Sequence, residues 1–222
     1  MTGSLNSMNT PEELLQAYTA LLLFLGSSVS MSPDKSGLPH LCDSGLLRNL
    51  PVESHNEEFK RASRLLKSPC PFKQQCRVTI DNNYNSLLSD RSNATAYPAA
   101  TVWKNYGKAK EEHHMTLARL YSNYGYTKAK ECTLDPDHLG IELLFVNLLL
   151  EKFLTEDDNE IRAMIRDDLQ QFIRGELLSW LPRWAEKVSE QSVTKCYTGI
   201  SGLIIGGLED VSEILTHQKL GL

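Results

Sequence analysis

The sequence predicts an all-α fold, a single globular bundle of about eight to ten helices. Three observations lead there. Apolar residues recur at i, i+3, i+4 and i+7 through most of the second half of the chain. Proline, glycine and N-capping residues stand where those stretches begin and end. No stretch alternates with the two-residue period of a half-buried strand.

The first ten residues, Met1–Thr10, are polar and expected to fray. Thr10 reads as an N-cap, with Pro11 at the first helical position and Glu12 and Glu13 in the first turn. Leu14, Tyr18, Leu21, Leu22 and Leu25 carry the helix to an expected end near Gly26. Ser27–Gly37 reads as loop. Leu46–Leu50 and Asn56–Leu66 look helical in short pieces, and Ser68–Pro71 breaks the chain with two prolines. Thr79–Leu88 reads as a helix with Ile80, Tyr84, Leu87 and Leu88 apolar. Asp90–Tyr97 reads as a polar loop. A helix is expected from about Pro98, carrying Val102, Trp103 and Tyr106.

Lys108–Tyr124 reads as a helix stopped by Gly125. Pro136–Leu154 is apolar nearly all round, which marks a central buried helix. Asn159–Leu178 carries Ile161, Met164, Ile165, Leu169, Phe172, Ile173 and Leu177 as a stripe. Pro182 kinks or restarts the chain, and Trp184 and Val188 follow on the next helix. Val193–Leu215 repeats the stripe. Its glycines Gly199, Gly202, Gly206 and Gly207 weaken helix propensity by roughly 1 kcal/mol each against Ala. Close approach of a second helix would account for them.

At 222 residues the chain is long enough for one good core and short for two, so residues 1–222 are expected to form one domain. Its 41% hydrophobic and 23% charged residues need no disulfide or metal to hold a fold. The net charge of −5 makes nucleic acid or anionic lipid a poor partner and suits a positively charged peptide better. The five cysteines, Cys42, Cys70, Cys76, Cys132 and Cys196, form no CxxC pair, which favours ordinary reduced thiols over a zinc site. The apolar runs near Ala20–Leu25 and Leu143–Leu150 fall short of the roughly 20 residues of a membrane span. Glu12 and Glu13, with no Lys or Arg, precede the first run, so a secretory n-region is missing. A cytoplasmic protein without stable membrane insertion is expected.

Patterns that carry catalysis or phosphate binding are missing. The sequence contains no GxxxxGK[ST], no GxGxxG after a strand, no HExxH and no GxSxG. His113-His114 has no spaced third ligand and reads as a solvated helix face. Asp157-Asp158 and Asp167-Asp168 fall at helix starts and exposed faces. One segment stands apart, from Leu134 to Leu143. Asp135 reads as an N-cap, Pro136 as the first helical residue, and Asp137 as a complement to the helix dipole. His138 and Glu142, four apart, share a face. Capping alone, or capping together with ligand contact, accounts for the group.

This segment resembles the E-P-x-D-H signature of the TorD/DmsD/NarJ family of molybdoenzyme-specific chaperones, the redox enzyme maturation proteins. Asp137 and His138 match its D-H, and Leu134 and Asp135 replace the Glu and Pro. Tyr84-Asn85-Ser86-Leu87-Leu88 is similar to the family's aromatic-x-x-Leu-Phe, with Leu88 for Phe. Tyr97-Pro98-Ala99-Ala100-Thr101-Val102-Trp103 resembles its Pro-rich turn before a Val-Trp pair, without the aromatic expected near Ala99. Leu178-Ser179-Trp180-Leu181-Pro182-Arg183-Trp184 looks like its W-x-P-x-aromatic stretch. The resemblance covers roughly residues 80–205.

The resemblance implies an all-α chaperone, not an enzyme, with no cofactor of its own. The implied partner is the precursor of a molybdenum-containing oxidoreductase. The chaperone would hold its twin-arginine signal peptide or N-terminal tail and assist cofactor insertion, assembly and export. Monomer and domain-swapped dimer both remain open. Such a peptide needs an apolar groove and carboxylates for its Arg pair. Tyr84, Leu87, Leu88, Pro98 and Trp103 are candidates for the first role, Asp137, Glu142 and Asp135 for the second, and His138 borders the same groove. Tyr84, Leu87 and Trp103 are equally at home in a core. The rival readings are a small hydrolase or nucleotide-binding protein using His138 with Asp137, and a structural subunit of a redox complex.

Overall fold

Thr10 opens the described chain as the sequence predicts. Its hydroxyl accepts from the Glu13 backbone N–H at 3.2 Å, and the Glu13 carboxylate accepts from the Thr10 N–H at 3.3 Å. The computed structural model describes residues 10–38, 49–68 and 75–219. The frayed end, the Leu46–Leu50 piece and the Ser68–Pro71 break lie wholly or partly outside these, and Cys42 and Cys70 lie wholly outside.

The helix begun at Thr10, α1 (Pro11–Ser30), runs past Gly26. Ser27, Ser28 and Ser30 donate their hydroxyls to the carbonyls of Leu23, Phe24 and Gly26. Residues expected to favour a loop are thereby kept inside the helix. At this length α1 is apolar and long enough to cross a membrane, with a mean hydropathy of 1.2. Here its Leu15, Tyr18, Leu21, Leu22, Leu25 and Val29 are buried in the chain's own core.

The elements that follow are α2 (Pro33–Ser36), α3 (Glu57–Lys67), α4 (Cys76–Leu87) and the single turn α5 (Ala100–Trp103). A 3-10 turn at Gly107–Ala109 leads into α6 (Lys110–Asn123). Then come α7 (Leu139–Thr155), α8 (Asn159–Gln171) and a π-helical turn, Phe172–Leu177. The last two are α9 (Leu181–Gln191) and α10 (Lys195–Lys219). Among the described residues there is no strand, only the isolated antiparallel bridge between Ala99 and His138.

α1 lies between α7 and α10, α3 and α9 pack on α10, and α8 packs on α7. One continuous apolar core runs through all of them, with Trp180, Trp184, Tyr18, Tyr197 and Phe145 among its largest fully buried side chains. Each such side chain contributes roughly 1.5–3 kcal/mol by leaving water. The glycines of α10 do admit a second helix. A Cβ on Gly199 would meet Leu66 at 2.5 Å, one on Gly202 would meet Ala62 at 2.8 Å, and one on Gly206 would meet the Phe59 backbone nitrogen at 2.7 Å. Gly207 faces Tyr18 at 3.7 Å, an ordinary contact. Gly26 and Gly140 do the same service where α1 crosses α7.

Other boundaries differ from the sequence reading as well. α7 begins at Leu139 rather than Pro136. The helix expected from Pro98 through Tyr106 is a single turn, and Lys104, extended at φ −98° and ψ 140°, ends it. The Asn159–Leu178 stripe changes at Phe172 into a π-helical turn, closed by the Leu178 N–H on the Ile173 carbonyl at 2.8 Å. Pro182 sits in the first turn of α9 and restarts the chain without kinking it.

Candidate functional site

Two distant segments meet at the start of α7, and their backbones hold them together. The Leu139 N–H donates to the Pro98 carbonyl at 2.8 Å, and the Ala100 N–H donates to the Asp137 carbonyl at 3.1 Å. These bonds explain the late start of α7. Residues 135–137 are engaged with the segment before α5, so Asp135 is not the N-cap and Pro136 is not the first helical residue. His138 is the N-cap: its Nδ1 accepts from the Gly140 N–H at 3.1 Å.

Asp137 lies beneath this junction, fully buried. One carboxylate oxygen accepts from the Thr101 N–H at 2.7 Å and from the Thr101 hydroxyl at 2.6 Å. The other lies 2.8 Å from His114 Nε2. Burial pushes its pKa up, but the two Thr101 bonds, then His114 and Arg91, prevail and hold it below the usual carboxylate range. Arg91 ties the surrounding loop down. It donates to Asp135 at 2.6 Å and to the Thr101 hydroxyl at 2.7 Å, and its guanidinium stands over the Tyr97 ring.

His138 is buried with its ring edge-on to Tyr97, 5.4 Å between centroids. Burial lowers its pKa to about 4, against the pull of Asp137 and Asp135, so the imidazole is neutral at neutral pH. Glu142, on the first turn of α7, is fully buried, and neither of its carboxyl oxygens has a hydrogen-bond partner. Burial first, then the charges of Asp137 and Glu176, push its pKa well up. Both effects favour its neutral form.

Around it stand groups the sequence reading did not select. Lys104 donates to the Glu176 carboxylate at 3.1 Å and to the Gly175 carbonyl at 3.3 Å, both on the π-helical turn. Tyr106 stacks on His113 at 4.1 Å. His113-His114 is therefore not a solvated face: His114 grips Asp137 and His113 carries Tyr106. The signal was present, because His114, Leu117 and Tyr121 lie at i, i+3 and i+7, and the last two are the buried residues of α6. Arg91 and Thr101 carried no such signal.

The other candidates divide. Leu87 and Leu88 are in the core, and Tyr84 is nearly so, its ring 6.3 Å from Tyr197. Pro98 is buried, and its carbonyl joins the two segments. Trp103 is half-buried and donates its indole N–H to the Tyr97 carbonyl at 2.8 Å. Beside it Val102 is exposed. Thr101–Gly107 and Arg183 line an open pocket of about 370 Å³. The Arg183 guanidinium holds the Trp103 carbonyl at 3.0 Å.

His114, Asp135 and Asp137 bring possible metal-ligand atoms within 4.8 Å of one another. Thr101, Arg91 and one another already engage these atoms, so the three act as a clamp between segments. The same bonds leave the pair Asp137 and His138 nothing with which to activate a nucleophile. Asp137 is saturated, and the His138 Nδ1 lone pair is committed to the cap.

The family model described as nitrate reductase delta subunit matches residues 53–186. The chain is 23% identical over 163 residues to the chaperone protein TorD of Photobacterium profundum, covering 73% of this chain and 74% of that one. It is 39% identical over 74 residues to the chaperone protein TorD of Actinobacillus pleuropneumoniae serotype 3, about a third of either chain. It is 28% identical over 120 residues to that of Aliivibrio fischeri, covering 54% of this chain and 55% of that one. The chain belongs to the nitrate reductase delta subunit family, which includes the TorD-type chaperones, and its relatives are chaperones and not enzymes.

Proposed function

We propose that this family member is a cytoplasmic chaperone, acting as one domain, for a molybdenum-cofactor oxidoreductase subunit. It holds that subunit's twin-arginine signal peptide or N-terminal tail while the cofactor is inserted, before assembly and export. The observation that carries the reading is the junction of the 97–106 and 135–142 segments. It brings Glu142 and Glu176, with Asp137 fixing the junction beneath, to the stretch that carries the exposed Val102 and the half-buried Trp103. A peptide with an Arg pair next to an apolar stretch needs that combination.

On this reading the candidates have different tasks. Tyr84, Leu87 and Leu88 support the junction from the core, and Pro98, Asp137 and His138 hold its two sides in register. Trp103 with Val102 offers apolar surface, and Glu142 offers an unused acid. Lys104 and Arg183 make the pocket rim cationic, so the peptide's arginines belong on the Glu176 side, where Lys104 now sits.

The test is calorimetric titration of two peptides into the whole chain. One carries an Arg pair followed by an apolar stretch, and the other has both Arg replaced by Gln. Binding of the first, weakened at least tenfold in the second, supports the reading. Equal binding of both, or of neither, overturns it.

A further inference from the structure

Glu142 is the only carboxyl group among the described residues whose buried oxygens lack any partner. Buried polar groups in folded proteins are paired almost without exception, and an orphan calls for a physical explanation. Both oxygens of one carboxyl are free. A guanidinium offers two parallel N–H donors at matching spacing, and it sheds water more readily than an ammonium does. The stacked Tyr106 and His113 rings lie in the same cluster and offer a π-face to a planar cation.

Resting on the proposed peptide-binding function, we propose that an arginine of the bound peptide pairs with Glu142 and expels its proton, so that peptide capture is linked to pH. The Glu142 O–H bond breaks, the proton passes to the solvent buffer, and the carboxylate formed pairs with the guanidinium. The peptide's cation is neutralised by one new anion, and nothing else changes charge. Because Glu142 is fully buried, the peptide reaches it as the Lys104–Tyr106 segment lifts. The Lys104 ammonium, which bridges to Glu176 and Gly175, gives way to the guanidinium.

The titratable groups around Glu142 come from several elements. Asp137 and His138 precede it on its own segment, and Lys104 and Tyr106 face it from the stretch after α5. α6 contributes Tyr121, with His113 and His114 in the same cluster, and the π-helical turn contributes Glu176. α1 meets this end of α7 through Gly26 and Ser30. His138 and His113 are kept neutral by burial, so neither holds a proton to release at neutral pH. Asp137 is already ionised.

The experiment titrates the twin-arginine peptide into the whole chain in buffers of different ionisation heat, between about pH 5.5 and 7.5. Where Glu142 is neutral, the wild type is expected to release about one proton per peptide, and Kd to fall about tenfold per pH unit. Glu142→Gln is expected to release none and to bind more weakly at every pH. Difference infrared spectra of the wild type alone should show a protonated-carboxyl band replaced by a carboxylate band on peptide addition, a readout that needs no variant. Binding without proton release, an unchanged infrared carboxyl band, or equal release by Glu142→Gln overturns the inference and leaves the peptide-binding function standing. A peptide that does not bind at all overturns that function, and the linkage with it.

Discussion

Asp137 takes both the backbone N–H and the hydroxyl of Thr101 on a single carboxylate oxygen, at 2.7 and 2.6 Å. Residues 36 apart in sequence are thus locked together at the start of α7. The lock has consequences for stability as well as for the site.

Thr101→Val keeps the shape and the backbone bond but removes the hydroxyl from both Asp137 and Arg91. A hydrogen bond to a charged group contributes about 1.5–3 kcal/mol, so a loss of that size is expected in urea denaturation. Thr101→Ser should recover most of it. Asp137→Asn is expected to lose a similar amount, more than the roughly 0.3–1 kcal/mol of a dipole contact alone. Because the folded pKa of Asp137 is depressed, its contribution is full above the ordinary carboxylate pKa and fades as pH falls through the folded value.

His138 adds a second acid-sensitive term. Its pKa falls from 6.5 to about 4 on folding, so the unfolded chain takes up the proton first as pH drops. Stability should therefore decline between those two values, by on the order of 3 kcal/mol at the acid end. His138→Asn keeps an acceptor at the N-cap and cannot titrate. Thermal melts of both proteins across that window should show the wild type losing more Tm than the variant. Parallel curves would show that His138 does not set the acid sensitivity.

Gly206 and Gly207 are neighbours on α10 with opposite expected responses to Ala. At Gly206 the new Cβ would stand 2.7 Å from the Phe59 backbone nitrogen, so α3 must move. A net loss of about 1–3 kcal/mol is expected despite the gain in helix propensity. At Gly207 the nearest atom is 3.7 Å away, and the propensity gain of up to about 1 kcal/mol should survive. Chemical denaturation of the two variants side by side decides it.

Metal removal is expected to do nothing. His114, Asp135 and Asp137 are already bonded to Thr101, Arg91 and one another, and Cys132 is a half-buried free thiol. A chelator should leave Tm unchanged, and thiol titration of the native protein should show reactive cysteine. A drop of several degrees on adding chelator would show that the clamp holds an ion.

The all-helical class, the buried character of α7 and the cap at Thr10 were legible because each rests on contacts within a few residues. Thr10 and Glu13 complete one another whatever the rest of the chain does, and the apolar periodicity of 139–155 needs no knowledge of its partners. The glycines of α10 were legible as a purpose, though not as a partner. That α3 fills the groove they leave is a long-range fact.

Asp135-Pro136 has every local mark of a helix start and is not one, because Pro98 and Ala100 pair with this stretch through the backbone. His113-His114 looks solvated until the fold brings Asp137 and Tyr106 to it. Ser27–Ser30 looks like loop, yet its hydroxyls turn back onto the α1 carbonyls. Sequence determined the all-helical class, the helices of the second half of the chain and the residues that carry the family's pattern. Tertiary structure alone decided where α7 starts, that Asp137 is saturated and that Glu142 is not. Those outcomes depend on donors supplied from elsewhere in the chain, and no local pattern records them.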